Sequence, residues 1–175
     1  MFVAVLVLVL VAGLLLYAAS RPAAFRIERS TTIAAPPERI VPLVDDFHRW
    51  PAWSPYEKVD PQMSRSYGGP PRGPGATYEW AGNSKAGVGR MEVLGSEPSQ
   101  VTIKLDFTKP FVAHNIAEFL LVPGRDGTRV TWAMRGTNGF MAKLFGVVVN
   151  MDRLVGRDFE TGLASLKAVA EGSAP

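Results

Sequence analysis

Side chains able to move a proton or grip a carbonyl are few and scattered in this sequence. Histidine occurs only at positions 48 and 114, and cysteine is absent. That excludes disulfides, thiolate metal sites, cysteine nucleophiles and a histidine-rich metal centre. His114 falls on a predicted strand, where a lone histidine is expected to be solvated or bonded to the backbone. Arg90 and Glu92 stand two apart on an outward face, the placement of a surface ion pair with a neighbouring strand. Asn83-Ser84-Lys85 follows Trp80 in a predicted hairpin loop, where Asn and Ser are ordinary turn residues. Asn115 and Tyr78 differ from these. Asn115 is polar at a position whose neighbours two residues away are apolar, and Tyr78 carries a phenol among inward side chains. Either could orient a ligand carbonyl or hydroxyl, although buried asparagines usually satisfy backbone groups. No Ser-His-acid set, phosphate loop or pair of inward carboxylates is evident, so no catalytic residue is assigned and no metal or cofactor is called for.

The elements that must position these groups are mostly strands. Phe25–Ile33 alternates as a strand and ends at Ala34-Ala35-Pro36-Pro37. Pro37 suits the first turn of a helix whose apolar side is Ile40, Val41, Leu43, Val44 and Phe47, with Pro42 expected to kink it. A shorter helical turn over His48–Trp53 places Trp50 and Trp53 on one face, filling the end of the core, with Trp53 and Tyr56 as a cavity rim in a sharper reading. After a breaker-rich loop at 68–75, strands are predicted at 76–81, 88–96, 100–109, 112–122 and 128–136, with a short one at 64–67. Brief connections make them an antiparallel meander. Residues two apart share a face. Val101, Ile103, Leu105 and Phe107 therefore fall together, as do Val130, Trp132 and Met134. Tyr78, Trp80, Met91, Val93, Ala117, Phe119 and Leu121 join them inward, while Lys104, Asp106, His114, Glu118 and Arg135 face water. Phe140–Glu171 reads as one long helix, or a short helix running into a long one. Its stripe of Met151, Val155, Phe159, Leu163, Leu166 and Ala170 needs a sheet to bury it.

At 175 residues the chain fits one domain with an appendage. A formal charge of +3, with acidic and basic residues interspersed, forms no nucleic-acid stripe, so nucleic acid is not expected as a partner. Residues 1–20 are the appendage. Phe2–Ala19 carries no charge and would reach about 27 Å as a helix, close to a bilayer core of about 30 Å. The expectation is a single-pass transmembrane anchor, with Arg21, Arg26 and Arg29 placing the folded part in the cytoplasm. A cleaved signal peptide ending at Ala18-Ala19-Ser20 is the competing reading, which would make the domain periplasmic or secreted; against it stand a missing positive n-region and a long apolar run. The expected organisation is an anchor at 1–20, a linker at 21–24, a domain at 25–171 and a tail at 172–175.

The order of strand, two small helices, about six strands and a long helix, together with certain residues, resembles the SRPBCC superfamily (START-like, helix-grip), particularly its polyketide cyclase/dehydrase and lipid transport branch. The residues carrying the likeness are Ala34-Ala35-Pro36-Pro37-Glu38, Trp50-Pro51-Ala52-Trp53-Ser54-Pro55, Gly75-Ala76-Thr77-Tyr78-Glu79-Trp80, Gly82-Asn83, Gly89-Arg90-Met91-Glu92-Val93, Gly127-Thr128-Arg129-Val130-Thr131-Trp132 and Phe159 to Lys167. The resemblance implies an α+β fold, a seven-stranded antiparallel sheet wrapped around the C-terminal helix, with a cavity for a hydrophobic ligand. Strand parity independently gives such a cavity an apolar lining of Tyr78, Trp80, Met91, Phe107, Phe119 and Trp132 around Asn115. Met151, Val155, Phe159 and Leu163 would face it from the helix. Local departures from the family pattern, or close packing, are expected at Pro42, Gly146, Gly156 and Gly162. Because fold does not settle function, three readings stand. They are a module binding or carrying an apolar small molecule or lipid beside a membrane, a cyclase or aromatase-like enzyme using Tyr78, Asn115 or His114, and a protein-interaction or stress-associated module with a filled pocket.

Overall fold

The computed structural model describes residues 2–172, apart from the side chains of Ala4, Phe140, Met141 and Val148. Most of the predicted tail therefore lies outside the described residues. Helix α1 (Phe2–Ser20) leads into β1 (Ala24–Ile33), α2 (Pro37–Val44) and two 3-10 turns at Phe47–Ala52 and Pro55–Lys58. The strands β2 (Ser64–Gly68), β3 (Thr77–Ala81), β4 (Val88–Glu97), β5 (Gln100–Lys109), β6 (Ala113–Gly124) and β7 (Gly127–Thr137) follow. The chain closes with α3 (Phe140–Val148) and α4 (Met151–Ala170). All seven strands make one antiparallel sheet in the order β1-β7-β6-β5-β4-β3-β2, so only the β1–β7 pairing departs from a meander. This is the α+β arrangement expected, including the inward side chains. Val93, Val101, Ile103, Phe119, Leu121 and Val130 are buried in one core cluster with Phe159, Leu163 and Leu166 of α4, where period-2 alternation meets a helical stripe.

The C-terminal stretch takes the two-helix form. Val149 is extended, which ends α3, and the Asn150 side chain accepts a hydrogen bond from Arg153 N at 3.0 Å to start α4. Pro42 stays inside α2, near its C-terminal end, where Asp45 N donates to Val41 O at 2.9 Å.

The N-terminal segment requires a correction. Among the described residues no helix is long and apolar enough to cross a membrane, so the single-pass anchor and the localisation built on it do not stand. Helix α1 has 19 residues, a rise of about 28 Å, and its last turn is engaged by protein. Ala18 is completely buried. Lys143 Nζ donates to Ala19 O at 3.4 Å, and Arg21 donates to Gly146 O on α3 at 2.6 Å.

Candidate functional site

Pairing across the sheet assembles the concave floor one row at a time. Phe25, Gly136, Asn115, Leu105, Met91 and Tyr78 are successive neighbours from β1 to β3. Gly136 leaves a gap in that row, and the Asn115 side chain fills it. A Cβ at position 136 would collide with the Asn115 amide oxygen and meet Phe25 at 3.0 Å. Phe25, Leu105 and Met134 remain half-buried in this region, as do Phe107 on β5 and Val155 on α4. Asn115 is 8% exposed, and its amide makes no hydrogen bond among the described residues. At this end Met151 is 40% exposed and Leu154 is also solvated, so the first turn of α4 overhangs the sheet instead of closing on it.

Two rows further along, the same sheet is filled. Phe159 stacks on Trp132 at a ring separation of 4.2 Å, and Trp132 stacks on Phe119 at 5.0 Å. Trp53 meets both Phe119 and Trp132 edge-on, and Trp50 lies 4.9 Å from Trp53. Offset and edge-to-face pairs of this kind add to simple area burial. Gly162 lets α4 come down onto this cluster, since a Cβ there would sit 2.6 Å from the Trp132 ring and 3.0 Å from Pro55. Gly156 does the same for Arg29. That guanidinium lies across the glycine, donating to Glu160 at 2.8 Å and to the Asp152 carboxylate at 3.1 Å. Trp50 Nε1 donates to Val44 O and Trp53 Nε1 to Leu43 O, whereas Trp132 Nε1 and Ser54 Oγ lack partners among the described residues.

Tyr78 is inward, as expected, but its phenol is engaged. It donates to Glu57 Oε1 at 2.7 Å, and Arg65 holds the other Glu57 oxygen at 2.8 Å. Burial and then the bond to Glu57 push the Tyr78 phenol upward. Glu57 is buried although nothing in its local pattern marked it, because Tyr78 and Arg65 meet it only in the folded chain. Trp80 stacks along Tyr78 and meets Phe107 edge-on at 5.5 Å. Met91 and Leu163 are buried. His114 is on the outer face, 2.7 Å from Asp106, whose other oxygen meets Lys104 at 2.9 Å. Arg90 pairs with Glu79 on the adjacent strand and with Glu92, both at 3.5 Å. Asn83 caps its own loop through the amides of Lys85 and Ala86. The structure thus brings Tyr78, Trp80, Met91, Phe107 and Asn115 onto one part of the floor and Phe119 and Trp132 onto another, where Phe159 of α4 stacks on Trp132 and Leu163 is buried in the same core. Val155 lies at the edge of α4 and Met151 outside.

Two clefts of about 450 and 490 Å³ are found on the outside, beside α2 and beside the β6–β7 turn, and neither is lined by any of those residues. Among the described residues no cluster of His, Asp or Glu could hold a metal ion.

A curved antiparallel sheet gripping a C-terminal helix, with an apolar concave floor, defines a helix-grip domain of the SRPBCC type. The polyketide cyclase/dehydrase and lipid transport family matches residues 24–171, and the chain belongs to that family. No curated protein matches it in sequence. Among solved structures it is similar to the Aha1 dimer from Colwellia psychrerythraea, with 16% identity over 86% of this chain and 99% of that one, and a TM-score of 0.61. It is also similar to SA2116 of Staphylococcus aureus, a protein of unknown function, at 11% identity, 87% and 97% coverage and a TM-score of 0.63. The di-domain ARO/CYC StfQ of the steffimycin biosynthetic pathway matches 87% of this chain over 51% of its own, at 11% identity and a TM-score of 0.60. Identities this low speak for the fold alone.

Proposed function

We propose that this protein binds or carries an apolar small molecule or lipid without transforming it, seating it in the seam between β1, β4–β7 and the N-terminal half of α4. The observation that carries this reading is Asn115. It is a single amide on an apolar floor, within reach of solvent and without a hydrogen-bond partner among the described residues. An amide so placed orients a ligand carbonyl or hydroxyl, while Phe25, Leu105, Phe107 and Val155 take up the apolar body. The polar groups an enzyme would need are used elsewhere. The Tyr78 phenol is committed to Glu57, and His114 faces away from the floor.

The test is native mass spectrometry of the gently purified full chain, repeated on Asn115→Leu and Leu105→Trp. Retained lipid-sized mass in the wild type that is lost from both variants is the expected result. Absence of any adduct, combined with no binding across a panel of fatty acids, sterols and aromatic polyketides, would refute the proposal. A second reading rests on the aromatic cluster of Trp53, Phe119, Trp132 and Phe159, which fills the other end of the concave face. On that reading the fold is an interaction module with a closed core, and the same experiment returns bare protein.

A further inference from the structure

The cleft of about 450 Å³ beside α2 has a composition that the seam does not explain. Glu38, Val41, Pro42 and Asp45 recur at helical spacing along one face of α2 and make one wall. The glycine- and proline-rich loop with Arg72, Gly73 and Pro74, and the β4–β5 turn with Glu97 and Pro98, make the others. Asp45 is 5% exposed and lines this cleft. Ser96 Oγ donates to its Oδ2 at 2.9 Å, while Oδ1 has no hydrogen-bond partner among the described residues. A buried carboxylate with a free oxygen is costly unless a cation or donor meets it.

Three further features deepen the negative potential. Asp45 caps the C-terminal end of α2, where the helix dipole is also negative, and no basic residue lies in the last turn. Glu38 and Glu97 form no ion pair among the described residues. Arg72, the one cation in the lining, pairs with none of the three carboxylates. Gly73 N donates to Asp45 O at 3.0 Å, so the loop covering the carboxylate is hung from the residue itself by one backbone bond.

We infer that this cleft is a binding site for a small organic cation, an amine or guanidinium on an apolar body, with Asp45 as the buried counter-ion beneath it. Pro42, Pro74 and Pro98 hold the apolar part, and Glu38 and Glu97 draw in the charge from the rim. The site shares no residue with the seam proposed above, so either can fail alone.

The experiment is an amide-shift NMR titration of the full chain with phenethylamine, Nα-acetyl-lysinamide and the neutral control 2-phenylethanol. Saturable shifts centred on Gly73 and Ser96 are expected for the two amines, at least about tenfold tighter than for the alcohol. The tighter of the two amines tells a free amine from a lysine side chain of a protein partner. Asp45→Asn should weaken amine binding by about tenfold or more, and the exposed Glu97→Gln by a few-fold. Arg72→Ala, which removes the competing cation, should tighten it. Equal binding of alcohol and amines, unchanged amine affinity in both Asp45→Asn and Glu97→Gln (in Glu97→Gln alone if Asp45→Asn does not fold), or no saturable shift up to about 20 mM would overturn the inference. Glu97→Gln, at an exposed rim position, keeps the test decisive if Asp45→Asn does not fold.

Discussion

One sheet, gripped by one helix, is packed in two different ways along its length. From the middle of α4 onward, Phe159, Trp132 and Phe119 form a continuous stack, and Gly162 removes the side chain that would hold the helix off. Under the N-terminal half, Asn115 and Gly136 interrupt the apolar row, Phe25, Leu105, Phe107 and Val155 are left half-buried, and Met151 projects into solvent. The contrast shows where stability and recognition are placed. Close packing at one end fixes the helix, so the other end can remain incompletely filled without loss of the fold. Arg29 reinforces this by tying Asp152 and Glu160, on either side of Gly156, to β1.

The largest test of that contrast is Phe159→Ala, expected to cost about 3–5 kcal/mol in denaturant unfolding. Val155→Ala, from a half-buried position only one turn away, should cost no more than about 1.5 kcal/mol. Similar losses from both would remove the distinction between the ends. Next in size is a pair of glycines. Gly162→Ala should lose about 1–3 kcal/mol, because its Cβ has no room beside Trp132. Gly146→Ala meets nothing nearer than Arg21 at 3.7 Å and should be neutral or gain up to about 1 kcal/mol from helix propensity. Asn115→Leu should move thermal stability by less than about 0.5 kcal/mol while abolishing retained ligand. A loss of several kcal/mol would make Asn115 a structural residue instead.

Much of this architecture was legible because its signals are periodic and local. Val101, Ile103, Leu105 and Phe107 sort to one face by parity alone, and the stripe from Met151 to Ala170 announces a helix needing a sheet. Parity gives direction but not distance, so it could not tell that Phe159 would touch Trp132 while Met151 would overhang. Asn115 stood out by contrast with its strand neighbours. Glu57 did not, because its partners Arg65 and Tyr78 lie on β2 and β3, eight and 21 residues further along the chain, and meet it only once the strands pair. Asp45 was hidden for the same reason, its neighbour Ser96 arriving from β4. In α1 the hydropathy was plain, but the docking of its last turn on α3 was not, and that contact is a tertiary property.

A small, pH-dependent effect concerns the outer surface behind the open end, where β5 and β6 pair Asp106 with His114. Burial alone would raise the Asp106 carboxyl, but hydrogen bonds from Lys104 and His114 outweigh it and hold its pKa below the ordinary value of 3.8. A carboxyl depressed in the folded state takes up protons more readily when unfolded. Its contribution is therefore present above the ordinary value and is lost as pH falls towards the folded one. For so solvated a pair the size should be under about 1 kcal/mol. Asp106→Asn should accordingly be slightly less stable than wild type at pH 6, with the two urea midpoints converging below about pH 4; parallel curves would discount the pair. Hydrogen exchange sharpens the point. If the open end is the independently yielding part, the variant should exchange faster at Leu105 and Asn115 and unchanged at Phe119 and Trp132. Uniform acceleration would mean that the two ends open together, and that the difference in their packing has no dynamic counterpart.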